Sequence, residues 1–272
     1  MFFDIFQVRK VGSRELTFFY SLKIIFRSYE KTKPLITFVT ITETIKRFMQ
    51  NKRREKGGII RAIKRQYNKG VRMLFHRKGH GVHSPFVFNF IIRVIEEKAR
   101  YYAYDEIEEA YRYAKRQAKK ESLSKPLPLK YHKLTYRVAN RFSPQTILEL
   151  GSDCGVTAKA MTLAATKAQI TTLDSNAVEE IKNYLSQSTP NLIYIHACKT
   201  AEEYKTLYAI LTPRLAEYQT IVVEGVRQTK EFYKLFNEFA LNNTIKVTID
   251  LYDIAILVSS PKLNKQTFRV GF

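Results

Sequence analysis

A short turn rich in small residues offers the clearest chemistry in the chain. It runs from Gly151 to Gly155 and follows Glu149, which stands near the end of an apolar run. Glycines let a bound molecule approach the backbone closely, and free amides at the start of a following helix favour polar or anionic groups. Glu149 can aim a carboxylate at the same crevice. The turn is therefore a candidate ligand site.

The residues around this turn predict the elements that would position it. Ile147, Leu148 and Leu150 form a nearly continuous apolar run after the helix-breaking Pro144, which indicates a buried parallel strand. Helix formers with apolar spacing fill residues 156–167. A strand, a tight turn and a helix in this order open a nucleotide-binding α/β sheet, whose ligands bind beyond the carboxyl ends of the strands.

The spacing of the glycines limits the class of ligand. The dinucleotide fingerprint requires Gly-x-Gly-x-x-Gly, and a phosphate-binding loop ends in Gly-Lys followed by Ser or Thr. The turn contains only Gly151 and Gly155 and has no lysine, so both classes are disfavoured. Glycines at strand ends also occur in α/β turns that bind nothing, and this alternative stays open.

The pattern Glu-x-Gly-x-x-x-Gly, followed by a strand over residues 169–173 and then Asp174, resembles the class I S-adenosylmethionine-dependent methyltransferases. The resemblance implies S-adenosylmethionine as the cofactor. It also implies that the second acid takes the ribose hydroxyls and that the first supports the charged methionine end. The cofactor-binding residues implied in this way are Glu149, Gly151, Ser152, Asp153, Gly155 and Asp174.

A more specific motif lies upstream of the turn. The string Gly-His-Gly-Val-His-Ser-Pro-Phe over residues 79–86, followed by Tyr-Tyr-Ala-Tyr-Asp-Glu-Ile-Glu over residues 101–108, resembles the N-terminal signature of a bacterial O-methyltransferase-like subgroup of that family. His76, His80 and His83 are close enough in sequence to suggest a metal. A flexible glycine turn without a nearby cysteine or acid is a poor preset site, so no metal is expected.

Strands alternate with helices after the first turn. Strands are predicted over residues 191–197 and 220–224, and a hairpin over 245–249 and 254–258. This order predicts an α/β fold: a Rossmann-like, mostly parallel sheet with helices on both faces and a C-terminal antiparallel hairpin, preceded by a helical N-terminal region. A closing hairpin is typical of the methyltransferase fold. His132, on a predicted helix over residues 129–142, is interpreted as a surface or packing residue.

Composition divides the chain into three parts. Residues 1–72 form a basic extension, residues 73–125 a helical lead-in, and residues 126–272 the methyltransferase-like α/β domain. The extension is interpreted either as a contact for nucleic acid or acidic lipid, or as a solvated and partly ordered segment. Met49 and Met73 could each begin a more compact chain.

The charge balance indicates the kinds of partner. Lysine and arginine number 46 against 25 acidic residues, which gives a formal net charge of +21. Such a charge implies affinity for polyanions without choosing among nucleic acid, acidic lipid and an acidic partner. Cys154 and Cys198 form no obvious disulfide framework, which favours a reducing, cytoplasmic location. No apolar stretch suits a transmembrane segment, and the start lacks a secretory signal pattern.

The chain departs from the subgroup in two places. The fourth strand of the subgroup ends in Asp-Gly followed shortly by a histidine, whereas this chain has Glu224-Gly225 and then Arg227. The fifth strand of the family, with its paired aspartates, is expected to be missing unless residues 245–249 are that strand. Acids at these strand ends bind a divalent cation in related metal-dependent enzymes. Glu224 alone is a poor start for such a site.

Two classes of function follow. The first is an S-adenosylmethionine-dependent methyltransferase, with O-methyl transfer to an unidentified acceptor and no assigned catalytic residue. Glu224 or His196 could serve as its base, although polar residues are also common at strand ends, and Cys154 has no paired histidine to make it a nucleophile. The second is a catalytically inactive methyltransferase-like module that binds nucleic acid or an acidic partner. Oligomeric state is not determined by these patterns.

Overall fold

The computed structural model describes residues 65–72, 82–120 and 126–272. The chain divides into two compact units, Met1–Gln66 and Tyr67–Phe272, and the second contains nearly all of the described residues. The predicted division at residues 72 and 125 stays a prediction. Most of the basic extension, together with His76 and His80, lies outside the described residues. In the part that is described, no helix is long and apolar enough to cross a membrane.

A seven-stranded sheet forms the centre of the second unit. Its strands, in chain order, are β1 (Thr146–Leu150), β2 (Gln169–Leu173), β3 (Leu192–Ile195), β4 (Thr220–Glu224), β5 (Val247–Asp250), β6 (Ile254–Val258) and β7 (Gln266–Arg269). Apolar and β-branched residues dominate these segments, and every residue of β3, β4, β5 and β6 is buried. The predicted Rossmann-like sheet is confirmed.

The strand order is β2-β1-β3-β4-β6-β5-β7. All neighbouring pairs are parallel except those of β6, which runs antiparallel to β4 and to β5. The predicted hairpin is therefore confirmed, and β5 runs in the same direction as β1 to β4. Its final residue, Asp250, consequently lies at the same edge of the sheet as the ends of β1, β3 and β4. A strand that ends in an acid is therefore present at this edge, as the alternative for residues 245–249 predicted, and its match to the fifth strand of the family stays a prediction.

Helices cover both faces of the sheet. They are α1 (Pro85–Phe90), α2 (Tyr104–Lys120), α3 (Leu129–Phe142), α4 (Val156–Ala164), α5 (Val178–Gln187), α6 (Ala201–Leu211) and α7 (Lys230–Ala240). A π-helix over Ile91–Ile95 extends α1, and a 3₁₀ turn over Thr212–Arg214 follows α6. Successive side chains of a strand point to opposite faces of the sheet, and β1 therefore contacts both helix layers. Ile147 packs on the side of α3 and α4, whereas Leu148 packs against α5, α6 and α7.

The residues at the start of α1 explain why the helix begins there. Ser84 precedes Pro85, and its hydroxyl accepts a hydrogen bond from the amide of Val87 at 3.4 Å. The pair suits a helix start, because a serine oxygen satisfies a free amide and proline fits the first helical position. The π-helix that continues α1 ends at Ile95. Arg137 of α3, which is buried, donates to the carbonyls of Val94 and Ile95 and so satisfies the helix end.

Candidate functional site

The glycine turn lies between β1 and α4, with a backbone that demands small residues. Gly151, Cys154 and Gly155 have φ values of 88°, 61° and 83°, in the left-handed region that glycine adopts without strain. Nothing lies within 4 Å of the place where a Cβ on Gly155 would stand, so this side of the turn faces open space. A Cβ on Gly151 would lie 3.0 Å from the Cβ of His196. The turn is therefore open at its helix end and covered by His196 at its strand end.

The strand order places this turn where doubly wound sheets bind ligands. β1 is hydrogen-bonded to β2 on one side and to β3 on the other, so the chain reverses its direction of winding between β1 and β3. The carboxyl ends of two such strands diverge and leave a crevice at the switch point. Gly151 follows β1, and His196 follows β3. Both residues consequently border this crevice.

A buried network of one histidine and two carboxylates lies beneath the turn. Its members, Glu149, His196 and Glu224, are each at most 6% exposed. His196 Nε2 lies 2.9 Å from Oε1 of Glu149, and His196 Nδ1 lies 3.5 Å from Oε1 of Glu224. We call these three residues the carboxylate–histidine network. It joins the ends of β1, β3 and β4.

The contacts within the network favour the charged forms of His196 and Glu224. Burial lowers the pKa of His196, but the charge of Glu224 and the hydrogen bond with Glu149 outweigh burial and raise that pKa to about 10. Burial alone would raise the pKa of Glu224, yet the neighbouring imidazolium and the hydroxyl of Tyr194 hold it below its ordinary value. His196 is thus an imidazolium at neutral pH. In this state it has no free lone pair with which to accept a proton.

Hydroxyl groups fix the two carboxylates from behind. Thr172 of β2 donates to Oε2 of Glu149 at 2.8 Å, and Tyr194 of β3 donates to Oε1 of Glu224 at 2.6 Å. The amide of Ala197 also donates to Oε2 of Glu224, at 3.3 Å. Both carboxylates are consequently held in one orientation by neighbouring strands.

Asp153 links the turn to the helix that follows it. Its Oδ1 accepts the amide of Thr157 at 3.0 Å and its Oδ2 accepts the hydroxyl of the same residue at 2.8 Å. His132, which is fully buried on α3, lies behind this pair with its Nδ1 3.5 Å from Oδ2 of Asp153. Asp153 therefore caps the first turn of α4. The interpretation of His132 as a packing residue omitted this polar contact.

The remaining predicted site residues lie toward solvent. Asp174 follows β2 and is exposed, and its Oδ1 accepts the amide of Asn176 at 2.9 Å. Ser152 is exposed on the turn. Glu149, by contrast, is 1% exposed. The six predicted residues thus separate into an outer group on the surface of the turn and a buried carboxylate behind it.

A second charged cluster lies at the same edge of the sheet. Arg72, in the helical residues 65–72, donates from Nη1 and Nη2 to the two carboxylate oxygens of Asp250, at 2.8 and 3.0 Å. Arg227 also pairs with Asp250, and Lys69 pairs with Asp253. Burial would raise the pKa of Asp250, but the two arginines outweigh burial and lower it to about 2. The cations at the end of the basic extension are therefore paired within the second unit rather than solvated.

Sequence patterns identified some of these residues and missed others. Glu149, His196 and Glu224 were named because they stand at strand ends. The pairing of Arg72 with Asp250 joins residues 178 positions apart, and no local pattern reports such a contact. One feature of the sequence did point to this cluster, namely that position 227 holds an arginine where the subgroup has a histidine. Arg227 pairs with the acid at the end of β5.

The two cysteines differ in their exposure to solvent. Cys154 is exposed on the turn, and Cys198 is buried. Burial, with a smaller contribution from Glu203, raises the pKa of Cys198 to about 12, which keeps it a thiol at neutral pH.

No protein-family model and no curated protein matches the chain. Solved structures that resemble it include methyltransferases. A candidate caffeoyl-CoA O-methyltransferase from Staphylococcus aureus is 15% identical, with 62% of this chain and 96% of that chain covered and a TM-score of 0.46. The O-methyltransferase TomG from Streptomyces achromogenes, in complex with S-adenosylmethionine, is 11% identical, with 56% and 90% covered and a TM-score of 0.42. The methyltransferase PaMTH1 from Podospora anserina, bound to S-adenosylhomocysteine, is 14% identical, with 66% and 99% covered and a TM-score of 0.41.

Proposed function

We propose that this chain is an S-adenosylmethionine-dependent methyltransferase that transfers a methyl group to an oxygen of an unidentified acceptor. One observation carries the proposal. A turn with glycines at positive φ stands at the switch point of a mostly parallel sheet, and the sheet is completed by the single reversed strand β6. Such a crevice suits a nucleoside-bearing ligand.

The outer residues of the turn fit the cofactor. The open space beside Gly155 lets a ligand lie against the backbone at the start of α4. Asp174 is exposed at the end of the neighbouring strand, where its carboxylate would accept hydrogen bonds from ribose hydroxyls. Gly151, Ser152 and Asp153 would line the floor between them. Glu149 would act from below through its negative charge, since its carboxylate is bound to Thr172 and His196.

The reaction would need alignment more than acid–base catalysis. The cofactor supplies a sulfonium-bound methyl group, and an acceptor oxygen placed in line with it attacks directly. Holding two reactants in line accounts for a large part of such a rate enhancement. His196 is an imidazolium and both oxygens of Glu224 accept hydrogen bonds, so we assign neither of them as the base. The acceptor would lose its proton to solvent or to a group outside the network.

Calorimetric titration with S-adenosylmethionine and S-adenosylhomocysteine tests the proposal. Both ligands should bind, and Asp174→Ala should weaken binding about 10- to 100-fold, because it removes hydrogen bonds to a charged acceptor. Glu180→Ala, an exposed acid on the helix that follows Asp174, is the matched control and should leave the affinity unchanged. Equal affinities for wild type and Asp174→Ala would contradict the assignment of the ribose contact.

A second candidate function has its own support. All three side chains of the carboxylate–histidine network are bound to one another or to neighbouring strands, as expected for a structural cluster. A methyltransferase-like fold without catalysis would serve as a binding module for nucleic acid or an acidic partner. Failure of both ligands to bind the folded protein would favour this function over the enzyme.

A further inference from the structure

We propose that Glu149, Asp153 and His196 form a binding site for a zinc ion. Each residue offers one ligand atom, and these atoms all lie within 4.8 Å of one another. Glu149 is the next-to-last residue of β1, Asp153 lies in the turn and His196 follows β3, so one ion would join three separate segments. The inference goes beyond methyl transfer and does not depend on it.

Carboxylates surround the imidazole of His196. Those of Glu149, Asp153 and Glu224 lie beside it in a site whose members are buried or half-buried. Acidic side chains that are withdrawn from water in proteins are usually paired or coordinate a metal. Zinc binds the neutral form of imidazole, so its binding would leave no proton on the ring nitrogen that coordinates it.

The hydrogen bonds behind the three residues are those of a prepared metal site. Histidines that bind metals usually donate their second ring nitrogen to a carboxylate, and carboxylates that bind metals are themselves held by hydrogen bonds. Nε2 of His196 is hydrogen-bonded with Glu149, whereas Nδ1 makes no hydrogen bond and lies 3.5 Å from Oε1 of Glu224, which would accept it after a small shift. Thr172 holds Glu149, and Thr157 holds Asp153, through hydroxyl donors at 2.8 Å.

The donor set selects zinc rather than magnesium or calcium. One imidazole nitrogen and two carboxylate oxygens suit zinc, whereas the harder cations prefer oxygen ligands throughout. Two ligands about 2.0–2.1 Å from a tetrahedral zinc stand about 3.3 Å apart. Nε2 of His196 and Oε1 of Glu149, now 2.9 Å apart, would separate by a few tenths of an ångström. Three protein ligands also leave one coordination position for water.

Zinc titration against a chelating dye tests the site in the full-length protein, freed of metals with EDTA and without S-adenosylmethionine. Wild type should bind one zinc ion that His196→Gln and Asp153→Asn lose, with affinity reduced at least about 100-fold. Glu224→Gln should weaken binding about 10- to 100-fold, because it removes only the support of the imidazole. His83→Gln is the matched control, since His83 is an exposed histidine outside the site, and it should retain the ion.

Two results would overturn the site. One is a wild-type protein that binds no zinc, and the other is a His196→Gln variant that keeps wild-type affinity. Circular dichroism establishes the folding of each variant. If His196→Gln does not fold, ¹⁵N-histidine NMR of wild type tests the site instead. Zinc should shift the Nε2 signal of one histidine, and the Asp153→Asn substitution should change the signal of that same histidine. A protein that binds zinc but, freed of metals, does not bind S-adenosylmethionine would contradict the proposed enzyme alone.

Discussion

At the scale of single residues, the most consequential feature is that buried charges occur in matched groups. Asp250 is 2% exposed and is held by Arg72 and Arg227. Its depressed pKa shows that the folded protein strongly favours the carboxylate. Removing one member of such a group leaves a buried charge without compensation. The free-energy cost of that unpaired charge is larger than the net stabilisation that the pair provides.

Asp250→Asn should therefore lower the free energy of unfolding by about 3 kcal/mol at pH 7. The pKa of Asp250 is about 2 in the folded protein against an ordinary value of 3.8, so its stabilisation of about 2 kcal/mol is present above pH 4. That stabilisation is lost as the pH falls from about 4 to about 2. Denaturant titrations across this pH range should show that the free energy of unfolding falls less for Asp250→Asn than for wild type.

Asp174→Asn provides the comparison, because Asp174 is an exposed aspartate at the end of another strand of the same sheet. The free energy of unfolding of Asp174→Asn at pH 7 should stay within about 0.5 kcal/mol of wild type. Parallel acid curves for wild type and Asp250→Asn would show that the arginine pairing does not stabilise the fold.

At the scale of elements, local sequence determined most of the secondary structure. β2 and β4 were predicted with their observed bounds, and α3 likewise, because Pro144 and the apolar periodicity mark these segments clearly. The predicted helix over 156–167 ends early, at Ala164, where Ala165 leaves the helical conformation. Three of the described helices begin after a serine or threonine whose oxygen accepts an amide; these caps are Ser84, Thr200 and Thr229.

Thr200→Ala should destabilise the protein by about 1 kcal/mol, because Oγ1 of Thr200 accepts the amide of Glu203 at 3.2 Å and an alanine leaves that amide without its cap. Thr206→Ala on the same helix is the control. Thr206 is exposed in the helix interior, where alanine has the higher helix propensity, so stability should stay equal or rise slightly. Chemical denaturation measures both. Equal losses for the two variants would contradict the capping role.

At the scale of the whole molecule, Lys69 and Arg72 near the start of the second unit are paired with acids at the sheet edge. Lys69 and Arg72 are bound to Asp253 and Asp250, and both arginines at this edge stand over the ring of Tyr252, at 5.2 Å for Arg72 and 5.5 Å for Arg227. A compact chain starting at Met73, which the sequence alone permitted, would therefore lack two cations of this edge.

Two truncated proteins test this dependence. The protein that starts at Arg65 should have a free energy of unfolding about 3 kcal/mol larger than that of the protein that starts at Met73. The shorter protein lacks Arg72, so Arg227 is the one arginine left to pair with Asp250. Arg72→Ala in the longer protein should reproduce most of the difference. Thermal denaturation of the three proteins measures it. Identical melting temperatures would show that the pairing at Asp250 contributes nothing to stability.

The sequence by itself determined the kinds and order of the elements, because strand periodicity, helix caps and breakers act over a few residues. It also identified the glycine turn and the acids at the ends of β1, β2 and β4. Only the tertiary structure decided that β3 lies beside β1 and that Glu149, Asp153 and His196 meet. Only the fold showed that Arg72 pairs with Asp250. Such contacts depend on strand order and on burial, which bring together residues that no local pattern connects.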